Sequence, residues 1–154
     1  MSYQPKPFNT PSDRVDRIDV RHENVGPITV ATTGNSDILY IVPRNVKVEA
    51  IKVVGTATLA ADDTNYVTWT VTNLGTAGSG STALLSTADT NTTKLTGGSA
   101  LTTLVPRSLV LTSTDASLKL TEGEVVRVRA AATGTLANTV TGYNVFFKVS
   151  ENLA

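Results

Sequence analysis

From Tyr66 to Leu74 the chain reads YVTWTVTNL and alternates with a period of two. Val67, Trp69 and Val71 share one face; Tyr66, Thr68, Thr70 and Thr72 share the other. A strand buried on one side collects its apolar residues in this way, whereas a helix would scatter them. Trp69 is the only tryptophan, and its large apolar surface marks it as a core anchor. Just upstream, Val46 to Val54 alternates in two phases. Val46 and Val48 share a face, while Ile51 and Val53 fall in the opposite phase, and a β-bulge between Glu49 and Ile51 reconciles them. These two strands and the loop joining them predict a β-sandwich closed around the pair.

A chain of 154 residues suits one domain with its own core. The 13 basic and 13 acidic residues cancel, which argues against nucleic acid or a membrane surface as partner. Threonine and valine are abundant, and both favour strands. Cysteine is absent, so neither a disulfide framework nor a thiolate metal site is available. The opening MSYQPKPFNTPSDR has no apolar core of the kind a secretory signal carries. No run is long and apolar enough to cross a bilayer as a helix.

Residues 1–24 differ from the rest. Pro5, Pro7 and Pro11 rule out a helix or a central strand, and DRVDRIDVRHE then alternates in charge. This composition predicts an extended arm that orders on a partner surface. Pro5, Pro7, Phe8, Arg14, Arg17, Arg21 and His22 are its candidate protein contacts. His22, the only histidine, has no second ligand or nucleophile near it in sequence and reads as a solvated arm residue.

From Val25 strand signals recur. Val25 to Ala31 contains a Gly-Pro pair, suited to a strand start or edge. ATTGNSD reads as a turn, Asp37 to Val42 as a short apolar strand, and Pro43-Arg44-Asn45 as a tight connection. GTAGSGS after Leu74 is a flexible loop. Ala83 to Ser86 is a weak strand, and Thr87 to Ser99 a long loop with one helical turn. Arg107 to Thr112, Ser117 to Leu120, Glu124 to Ala131 and Thr139 to Ser150 complete the series, the last with Tyr143, Val145, Phe147 and Val149 on one face. Such spacing indicates an all-β sandwich or barrel. About eight antiparallel strands in Greek-key order make a jelly roll, placed here over residues 25–154.

TATLAADDTNY (56–66) echoes TGTLANTVTGY (133–143). In a jelly roll both segments would be connections on one rim. That rim, with Asp62, Asp63, Asn65 and Asn138, is the candidate contact surface, because loops on a rigid scaffold carry binding.

The motifs supply no catalysis. A nucleophilic triad is hard to build with one His in the arm and no Cys. Asp62 and Asp63 are adjacent and point apart in an extended chain, unlike a glycosidase pair. Asp62-Asp63-Thr64-Asn65 could hold Ca²⁺ weakly through oxygen ligands, but it lacks the EF-hand spacing, and Asp and Asn are ordinary turn residues. Gly78-Ser79-Gly80 lacks the lysine and helix of a phosphate loop. Arg127 and Arg129 share a strand face, more simply a solvated face than a ligand clamp. The reading is no enzyme, no metal and no cofactor.

Three features together resemble the jelly-roll decoration (cement) and head-fibre proteins of tailed bacteriophages. They are the entry ATLAADDTNYVTWTVTN, the strand in LVPRSLVL, and the turn LTEGEVV. The likeness covers roughly Val46 to Phe147. It implies a virion protein on the outer capsid surface, made in the host cytoplasm, bound to the major capsid protein and usually homotrimeric, with neither nucleic acid nor membrane as partner. The arm lies outside the matched pattern; deleting residues 1–24 is expected to leave a folded domain that no longer binds capsids. The alternative is a carbohydrate- or receptor-binding jelly roll. Sugar platforms need exposed aromatics, and the alternation places Trp69, Tyr143 and Phe147 inward.

Overall fold

The computed structural model describes residues 20–137 and 139–151. Two antiparallel sheets face each other. Nine strands are present among the described residues: β1 (Arg21–Val30), β2 (Gly34–Ile41), β3 (Val46–Val54), β4 (Tyr66–Asn73), β5 (Thr82–Ala83), β6 (Arg107–Leu109), β7 (Lys119–Leu120), β8 (Val125–Thr133) and β9 (Val140–Glu151). One sheet runs β1-β9-β3-β6 with β7 also on β3; the other runs β2-β8-β4-β5. The pairing is nested: the first strand lies on the last, the second on the eighth, the third on the sixth and seventh, the fourth on the fifth. The helical content among the described residues is two 3-10 turns, Asp89–Asn91 and Asp115–Leu118.

β3 and β4 lie in opposite sheets, and both send side chains into one buried core. The alternation on β4 holds, with Val67, Trp69 and Val71 all buried. The bulge in β3 sits where the phase change requires it. Its register against β9 shifts between Val48 and Ala50, and Val46, Val48, Ile51 and Val53 are all buried. Leaving one of these pairs in water would forfeit about 2 kcal/mol per side chain. A disturbed ladder hydrogen bond costs about 1 kcal/mol, so burial wins.

The rest of the core follows the same rule. Val126, Val128 and Ala130 on β8 are buried in the same core cluster as Tyr143, Val145, Phe147 and Val149 on β9. Trp69 meets Tyr143 edge-to-face at 6.0 Å between ring centroids, and Tyr40 meets Phe147 at 5.7 Å. Each contact ties the two sheets together.

Several boundaries move. β1 begins at Arg21, so Arg21 to Asn24, assigned to the arm from sequence, pair with β9 from Val149 to Phe146. The charges there misled: His22 points outward level with Lys148, while Glu23 sits on the inward row level with Phe147. Gly26 and Pro27 fall within β1 and not at its start. The strand is an edge, and its register breaks at Gly26, whose φ of +110° suits glycine. The expected strand over Ser117 to Leu120 is a 3-10 turn that enters the two-residue β7.

Candidate functional site

The two echoing segments meet at one end of the sandwich. Each tucks its leucine under the rim, Leu59 and Leu136 both buried. Asn65 Oδ1 accepts the Thr135 N–H at 3.0 Å. Gly134 has φ of +69°, and a Cβ there would stand 2.4 Å from Asn65 Oδ1, so the close approach of the loops requires glycine. A third segment closes the group: Leu59 and Leu101 exchange backbone hydrogen bonds at 2.9 Å, and the Asp62 N–H donates to Thr93 O at 3.1 Å. Between the loops lies a cleft of about 490 Å³ bordered by Ala57, Leu59, Asp62, Asn65, Leu136 and Thr139.

The two rim carboxylates are committed to holding loops. Asp62 Oδ1 accepts the N–H groups of Thr64 and Asn65, both at 2.6 Å. Asp63 accepts the Thr96 N–H at 2.8 Å and its hydroxyl at 2.9 Å. The backbone N–H of Thr96, then its hydroxyl, hold the Asp63 carboxyl below the usual carboxylate range. The two side chains thus turn to different partners, and this loop is turn chemistry. Lys94 pairs with Asp89 at 3.1 Å and lies over the Tyr66 ring, 5.0 Å from its centroid. That pairing raises the lysine above its ordinary pKa. No group of three or more His, Cys, Asp or Glu side chains able to hold a metal forms among the described residues.

The candidates from sequence do not converge. Asp62, Asp63 and Asn65 stand at the end of the sandwich where β4 begins. Arg21 and His22 stand at the other end, level with Val149 and Lys148. Pro5, Pro7, Phe8, Arg14, Arg17 and Asn138 lie outside the described residues. Arg129, expected on a solvated face, grips Asp37 through two hydrogen bonds of 2.7 Å.

Three fastening residues escaped the sequence reading. Asn91 is buried, and its amide imitates a strand residue. It accepts the Val110 N–H at 2.7 Å and donates to Val110 O at 2.9 Å and Ser86 O at 2.8 Å. Thr93 Oγ1 accepts the Val67 N–H at 2.8 Å, finishing the β4 edge where β5 has ended. The Arg107 guanidinium donates to the carbonyls of Ser99 (2.6 Å), Thr90 (2.6 Å) and Thr92 (2.7 Å). No local motif announces these roles, since the partners lie between 5 and 26 residues away.

These features define a two-sheet antiparallel β-sandwich whose long loops are pinned by side-chain-to-backbone hydrogen bonds. No protein-family model and no curated protein matches the chain. Among the described residues no helix is long and apolar enough to cross a membrane.

Proposed function

We propose that this chain is a structural component of a tailed-phage virion, a jelly-roll decoration protein seated on the outer surface of the head and bound to the major capsid protein. The observation that carries the reading is the nested strand order, β1 on β9, β2 on β8, β3 on β6 and β4 on β5. It is the order expected of a jelly roll, an architecture used by viral capsid and lectin domains. The resemblance of the sequence to decoration proteins supports the capsid role.

The physical logic is linkage. A protein that bridges neighbouring capsid subunits binds the intact shell and not the broken one, so it stabilises the former by mass action. Copies acting together, expected as a trimer from the likeness, raise the effective concentration at each seat, and modest contacts then suffice. Residues 1–19 are assigned the reach to the shell, with alternating charges that set register more than affinity.

The test is co-sedimentation with DNA-filled heads. The full chain should pellet with heads, while residues 20–154, folded by circular dichroism, should stay in the supernatant. Equal binding by both would remove the role given to residues 1–19, and binding by neither would remove the capsid role. A second reading, a glycan-binding module, draws on the threonine-lined rim cleft; saturable binding on a glycan array that Asp62→Ala abolishes would favour it.

A further inference from the structure

We infer that the edge of β2 left unpaired among the described residues is a pairing edge for a second copy of this chain. Among the described residues the outer strands of the two sheets are β1, β6 and the two-residue β7 in one, and β2 and β5 in the other. Open edges invite other strands, and proteins blunt them with prolines, bulges, lysines or very short strands. β1 carries Pro27 and two breaks of register. β5 has two residues and β6 three. β2 has none of these devices. It runs eight residues, pairs with β8 without a break, and contains neither proline nor lysine. Its one charge, Asp37, is neutralised by the two-pronged contact from Arg129. No backbone hydrogen bond joins its other edge to a described residue.

The outward row of β2 points to the occupant. Leu39 is 63% exposed and Ile41 67% exposed. Val125, half-buried, stands level with Ile41 on β8. An antiparallel two-fold pairing centred on Tyr40 sets Leu39 against the partner's Ile41 and Ile41 against the partner's Leu39. The apolar end of the strand is therefore its own complement, as an isologous contact requires. No like charges meet, because Asp37 falls beyond the apolar pair and is already matched. The contact joins copies two by two, so it adds to any three-fold assembly and does not build it; trimers linked this way become hexamers. The inference is independent of the capsid reading.

The experiment is analytical ultracentrifugation of the full chain beside its Ile41→Lys and Leu39→Lys variants, with hydrogen exchange of β2 at high and low protein concentration. Wild type should sediment at an even number of copies and each variant at half that mass, with circular dichroism unchanged. The β2 amides should exchange faster on dilution. Leu104→Lys, at another exposed leucine, should leave the mass unchanged. An odd-numbered wild-type assembly, variants of unaltered mass, equal disruption by Leu104→Lys, or β2 protection independent of concentration would each overturn the inference.

Discussion

The Tyr40 hydroxyl on β2 donates a hydrogen bond to Glu23 Oε2 on β1, tying one sheet to the other at the end of the sandwich. Arg44 Nη2 approaches the second oxygen of the same carboxylate at 3.6 Å. The Tyr40 ring also lies edge-on to Phe147, so this polar group closes over the core. Tyr40→Phe keeps the ring contact and removes only the donor. Hydrogen bonds to charged groups are worth about 1.5–3 kcal/mol, so chemical denaturation should give a loss of about 2 kcal/mol. A loss below about 0.5 kcal/mol, the scatter expected of surface substitutions, would mean that the bond does not hold the sheets.

Alkaline stability should follow two tyrosines. An unfolded tyrosine ionises near pH 10, about its reference value. Burial pushes Tyr143 up to about 12, and its hydroxyl donates to Ala57 O at 2.6 Å. Tyr40 is also raised, by burial and then by Glu23. Folding thus favours the neutral phenols. Their contribution is complete below about pH 10 and is lost as pH climbs through the folded-state values. The phenolate absorbance of these two residues should rise only together with loss of the β-sheet circular dichroism. Reversible ionisation of Tyr143 near pH 10 in folded protein would contradict this.

Trp69 reports on the core. It is 1% exposed, and its indole Nε1 is buried without a hydrogen-bond partner among the described residues. Trp69→Ala removes the whole side chain and should cost about 3–5 kcal/mol. Trp69→Phe deletes the unpartnered N–H together with part of the ring, so it should cost clearly less. Urea unfolding of the two variants orders them, and equal losses would refute the assignment.

Arg107 should govern the loop from Thr87 to Ser99. Its three carbonyl contacts need the planar fork of a guanidinium, which a lysine ammonium cannot reproduce. Arg107→Lys should raise amide exchange and protease cleavage across residues 87–99 while leaving β8 and β9 protected. Uniform loosening of the whole domain would assign Arg107 to the core instead.

Much of the sandwich is readable from local pattern. The alternation on β4, β8 and β9 places the inward rows, and the phase change in β3 places its bulge. Burial of one sheet face writes itself into sequence at a period of two. The beginning of β1 was not readable because its side chains are charged: Glu23 looks like arm until Tyr40 and Arg44 stand beside it. The rim was half readable. The repeated Thr-x-Thr-Leu-Ala brings Leu59 and Leu136 to one end, but nothing local assigns Asp63 to Thr96 or Asn91 to Val110. Those contacts depend on where segments remote in the chain come together in the fold.

The capsid role is tested most directly by counting copies of the chain in purified phage particles by quantitative mass spectrometry, with immunogold labelling to locate them. A fixed copy number on the outer surface of the head is the predicted result. Absence from particles, or confinement to the tail, would contradict it.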